Sequence, residues 1–133
     1  MRVTLMFLFL LLGVSLQAEP KSHYMIHCMG CHLSDGSGQP PDVPIFDKNL
    51  GLLVQSELGR AYLVRVPGAA QAPINDADLA AVINWMLSEY SAETIPDDFI
   101  PYDADEVARY RSTILTNPVE LKASLTAASN GTL

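Results

Sequence analysis

The sequence predicts an all-α fold, a small helical domain with an additional C-terminal helix. Three observations carry that prediction. Leu79, Val82, Ile83, Met86, Leu87 and Tyr90 recur at i, i+3, i+4, i+7, i+8 and i+11, one face of a 3.6-residue period. A second amphipathic segment opens at Asp103. No strand-rich βαβ pattern interrupts these helices.

The first 18 of the 133 residues read as an export signal. Arg2 supplies a positive start, Val3 to Leu12 is apolar, and Ala18 offers a small residue for cleavage. A spanning helix needs about 20 apolar residues, so this stretch is short for a permanent anchor. The expected domains are therefore a signal over 1–18, a main domain over 19–101 and a helical extension over 102–133. Cleavage removes Arg2 and takes the formal charge from −7 to −8. That balance argues against nucleic acid and anionic membrane surfaces, and favours a basic docking patch on a protein partner.

Lys21 to Cys31 reads as a short helix with Tyr24 and Ile26 as its apolar positions. It runs into Cys28-Met29-Gly30-Cys31-His32, a C-x-x-C-H motif. Two residues between the thiols let both sulfurs reach one porphyrin edge as thioethers, and the histidine that follows is carried toward the iron. These are the chain's only cysteines, so no disulfide framework competes for them. A lone C-x-x-C also serves as a dithiol couple, but in a βαβ setting missing here. It could instead be half a zinc site with His32 and either His23 or His27, which would crowd four ligands into ten residues. Haem attachment is the reading that uses every residue of the motif. Export suits it, because bacterial c-type haem is attached outside the cytoplasmic membrane, and the expected location is periplasmic.

Ser34 to Pro41 is a loop by composition. Leu50 to Ser56 reads as a short helix. Gly59 to Val66 is too short for periodicity to separate helix from strand, and Pro67-Gly68 ends it. Asn75 caps the long helix from about Asp76 to Tyr90, with Asp76 and Asp78 favoured in its first turn. Trp85 reads as a packing residue on its shoulder. Ser91 to Pro101 is an acidic, proline-punctuated connector. Asp103 and Glu106 then form a capping-box-like pair, with Val107, Tyr110, Ile114 and Leu115 as the apolar face. From Asn117 the helical signal weakens, and Ser129 to Leu133 reads as frayed.

Over roughly Lys21 to Tyr90 the chain resembles the class I cytochromes c. The resemblance rests on Cys28-x-x-Cys31-His32, Gly36-x-Gly38, Pro44 twelve residues after the histidine, and the late helix with Trp85 and Tyr90. It implies an all-α fold around one covalent haem c, bound by Cys28 and Cys31, with His32 as proximal ligand. It also implies that the Pro44 carbonyl accepts from the other His32 ring nitrogen. The family's sixth ligand is usually a methionine just before the late helix, but Pro67 to Ile74 here holds no Met, His or Lys. Met25 and Met86 read as core filler, with Met86 also a candidate distal ligand displaced from the family position. His23 and His27 read as surface residues.

The expected function is a periplasmic mono-haem cytochrome that passes single electrons between redox partners, as for the acceptor of a periplasmic dehydrogenase. The alternative is a protein that binds NO or CO at an open distal site. A peroxidase ranks last, because the loop lacks a His or Arg to polarise an O–O bond. No catalytic set is legible, and the Asp97-Asp98 and Asp103-Asp105-Glu106 clusters read as solvated connector and helix-start residues.

Overall fold

The computed structural model describes residues 19–130. The predicted export signal (1–18) and the last three residues lie outside the described residues. Eight helices and one short 3-10 turn make up the described chain, and the only sheet-like pairing among these residues is an isolated bridge between Gln39 and Val43.

Helix α1 (Pro20–His27) begins with proline at its first turn, where a missing N–H costs nothing. Tyr24 is its one buried residue. Its ring lies 5.1 Å from Trp85 and 6.0 Å from Tyr90, and its hydroxyl donates to the Leu33 carbonyl at 2.6 Å. Ile26, expected on the apolar face, is instead 72% exposed. Two positions from Tyr24 it sits about 200° round the helix, so both cannot face inward.

The single turn α2 (Met29–His32) carries the second thiol and the imidazole. The loop after it doubles back through glycines at φ +74° (Gly36) and +61° (Gly38). A Cβ on Gly38 would stand 2.6 Å from the Val43 carbonyl oxygen, so only glycine permits that approach. Hydrogen bonds from Gly38 N to His32 O and from Phe46 N to Gly36 O close the loop, returning Pro44 and Phe46 beside His32.

Helix α3 covers Asn49–Leu53, slightly earlier than expected. The undecided segment is helix α4 (Glu57–Arg65), started by the Ser56 hydroxyl accepting from Gly59 N at 3.1 Å. Pro67 does end α4, but it also starts a further turn, α5 (Pro67–Ala70), from the position that tolerates proline. Helix α6 (Asp76–Tyr90) matches the expected span, with the Asn75 side chain accepting from Asp78 N at 2.8 Å. Leu79, Val82, Ile83 and Leu87 are buried, while Met86 and Tyr90 are half-buried.

After the connector, Tyr102 exchanges two 2.9 Å hydrogen bonds with the Asn84 carboxamide. Helix α7 (Ala104–Arg111) follows, capped by Asp103 accepting from Glu106 N at 2.8 Å. Two expectations need correction here. Glu106 is not a solvated residue: its carboxylate is buried against Arg60 of α4. Ile114 and Leu115 lie beyond α7; Ile114 is exposed, and Leu115 donates its N–H to the Arg65 carbonyl and packs on Leu53 and Tyr62. The weakly signalled tail is a full helix, α8 (Pro118–Asn130), packed on α3 and α4.

One core joins Leu50, Val54, Val64, Leu79, Ile83 and Leu87 with Tyr102 and Val107. Residues on both sides of position 101 thus share it. Among the described residues, no helix is long and apolar enough to cross a membrane.

Candidate functional site

A cavity of about 310 Å³ opens between the motif and the helical core. That is within the range of small-molecule and cofactor sites, roughly 300–1,000 Å³. His27, Cys28, Cys31 and His32 form one wall. The returning loop adds Pro44 and Phe46, and α4 adds Tyr62, Leu63 and Val66. Pro67, Gly68 and Ala69 of α5 form a wall without a ligating side chain, while α6 supplies Leu79, Val82, Ile83 and Met86. Helix α8 closes the last side with Val119 and Lys122.

The five candidate haem-site residues, Cys28, Cys31, His32, Pro44 and Met86, all line one cavity. His27, read as a surface residue, lines it too. His23 is not a free surface group either; its side chain is 15% exposed and lies 3.6 Å from Asp78 of α6. Both follow from α1 packing across α6, which covers the helix face they share. Lys122 was invisible to pattern reading, although Pro118 at the helix start and Glu120 in the first turn mark α8 as a helix.

No disulfide joins the two cysteines; Cys28 is half-buried and Cys31 exposed. Burial, with Cys31 beside it, pushes the Cys28 thiol up to about 11. Burial also holds the His32 imidazole below the usual histidine range, favouring the neutral ring that ligates metals; the Lys122 charge adds to this, and the Pro44 carbonyl opposes it. The ring stacks on Phe46, centroids 3.9 Å apart and planes 17° from parallel. Although the Pro44 carbonyl acts on the ring, no hydrogen bond of ordinary geometry joins it to Nδ1, which is buried and unpaired. An orphaned buried nitrogen costs about 1–3 kcal/mol, so this one calls for a partner.

The donor set fits a haem. Two thiols and an imidazole follow one another along a single turn, facing an enclosure otherwise built mainly of apolar side chains. A zinc site does not fit, since among the described residues no group of three or more His, Cys, Asp or Glu side chains is placed to hold a metal ion.

Fold and site together fit one class: the fold is all-α and cytochrome c-like, consistent with the class I, mono-haem c-type cytochromes. Comparison with known proteins agrees. The chain is similar to a cytochrome c-552 of Thermus thermophilus, 28% identical over 134 residues, covering 87% of this chain and 90% of the relative. It is also similar to another Thermus thermophilus cytochrome c-552, 27% identical over 107 residues, covering 67% of this chain and 82% of that protein. No protein-family model matches. The similarity to these two relatives supports a c-type cytochrome acting in electron transfer.

Proposed function

We propose that the protein is an exported, periplasmic mono-haem carrier that shuttles single electrons between partner proteins, with a basic patch on a partner meeting its acidic surface. The convergence of Cys28, Cys31 and His32 on one largely apolar cavity carries this reading. A bound haem supplies the one-electron ferric–ferrous couple, and the chain's residues hold and shield it. Cys28 and Cys31 would hold it covalently as thioethers. His32 is the proximal ligand, and the Pro44 carbonyl is the acceptor that holds its tautomer once Nδ1–H turns toward it. Phe46, stacked on the imidazole, restricts its rotation. Leu79, Val82 and Ile83 exclude water from the interior wall. No residue performs acid–base chemistry in this scheme.

The distal side divides two readings. Met86 lines the cavity from α6 and would be the candidate thioether ligand on the distal side. Pro67, Gly68 and Ala69 offer no ligand, which favours as the second reading an open site that takes NO or CO. Expression with a c-type maturation system tests both. The carrier reading expects a covalent mass increase of one haem, lost in Cys28→Ala/Cys31→Ala, and a low-spin spectrum. A high-spin spectrum that shifts on adding CO selects the open site, and a Met86→Leu spectrum identical to wild type assigns Met86 to packing.

A further inference from the structure

Lys122 is the one lysine or arginine among the residues lining the cavity, and it stands where α8 meets the loop of Pro41 and Pro44. Its ammonium has three N–H donors. One makes a 3.3 Å bond to the Ile45 carbonyl, longer than the usual range for such bonds. No carboxylate of the described residues pairs with it. Asp47 is the acid whose charge acts on it, but the Asp47 oxygens are engaged by Asn49, one by its N–H at 2.9 Å and the other by its carboxamide at 3.0 Å. Burial holds the Lys122 ammonium below the usual lysine range, so this charge is partly stripped of water. A desolvated cation without a counter-ion is costly, and the cost is recovered when an opposite charge is seated beside it.

A haem held by Cys28, Cys31 and His32 carries propionate carboxylates, which a mainly apolar enclosure cannot solvate and which Asp42, the one carboxylate in its lining, would repel. We infer that Lys122 is the counter-ion for a haem carboxylate, and that this pair tethers α8 across the mouth of the cavity. The inference rests on the haem reading and adds to it a residue outside the motif, the resembling segment and the core helices. It also gives α8 a reason to lie where it does, with Val119 packing over the cavity from the preceding turn.

The test compares wild-type, Lys122→Met and Lys122→Arg holoproteins by two readouts, the midpoint potential and amide hydrogen exchange along α8. Losing the cation leaves a carboxylate uncompensated and stabilises the more positive ferric state. Lys122→Met should therefore shift the electron-transfer equilibrium toward ferric by up to about tenfold, or about 59 mV for one electron. It should also speed exchange in α8 by about tenfold or more. Lys122→Arg, which keeps the charge and the reach, should restore both. A fallen potential with unchanged α8 protection shows a remote charge only and overturns the tether. Faster exchange with an unchanged potential shows packing only and overturns the ion pair. Failure of the wild-type protein to acquire covalent haem overturns the haem reading itself, whereas haem present with both readouts indifferent to Lys122→Met overturns this inference alone.

Discussion

Arg60 and Glu106 meet in a two-pronged ion pair, Nε on Oε1 and a terminal guanidinium nitrogen on Oε2, each at 2.6 Å. The pair joins α4 to α7, and the guanidinium also lies 4.1 Å from the Tyr102 ring centroid. The two side chains are only 16% and 12% exposed, so removing one leaves the other charged in a poor solvent. Glu106→Ala should cost about 3 kcal/mol in denaturant unfolding. The double substitution Arg60→Met/Glu106→Leu should recover most of that loss, because it leaves no orphaned charge.

Gly59 of α4 lies hard against the end of α3. A Cβ there would stand 1.9 Å from the Leu53 carbonyl oxygen, a backbone atom that cannot swing aside. Gly59→Ala should destabilise the protein by about 3 kcal/mol. Gly30, with nothing within 4 Å of its would-be Cβ, is the control. Gly30→Ala should be neutral, or stabilising by up to about 1 kcal/mol, in the same unfolding measurement.

Arg111 closes α7 by gripping the segment before α6. It donates to the carbonyls of Ala70 at 2.9 Å, Ile74 at 2.8 Å and Ala72, and pairs with Asp76 at 2.9 Å. Arg111→Met should cost about 3 kcal/mol, since charge-assisted bonds are worth about 1.5–3 kcal/mol each and not all are lost to water. Hydrogen exchange should quicken first at the Ala72 and Ile74 amides. Arg111→Lys should rescue little, because an ammonium cannot span the same fork of acceptors.

Tyr62 predicts an alkaline limit. Burial raises its phenol to about 12, against an ordinary value of 10.0. The folded state therefore holds its proton over a window in which the unfolded chain releases it. Stability is full below about pH 10 and falls as pH rises toward 12, by up to about 2 kcal/mol from this residue. Tyr24 and Tyr102 are raised further in the same direction by burial. Unfolding midpoints at pH 8 and pH 11 should differ less in Tyr62→Phe than in wild type.

How much could be read from sequence depends on whether the signal is local. Helix α6 was legible because 15 residues repeat one period behind a capping asparagine. The motif residues were legible because the chemistry fixes their spacing. Helix α4 was not, since nine residues cannot separate two periods, and its identity rests on the Ser56 cap. The Arg60–Glu106 pair spans 46 positions, so nothing near Glu106 in sequence told it apart from a solvated helix start. His27 and Lys122 reach the cavity only because α1 packs on α6 and α8 packs on α3 and α4, arrangements no local pattern contains.

The Arg111 grip has a last consequence. Three of its four acceptors are peptide carbonyls, which every residue type possesses. The hold is thus blind to side chains: it dictates the path of residues 70–74 whatever stands at Gln71 and Pro73, while Ala72 and Ile74 are tied to the core as well. Shape and chemistry are decoupled at those two exposed positions. They can be rewritten, by mutation or by design, without redrawing the backbone that borders the cavity wall of Pro67 to Ala69.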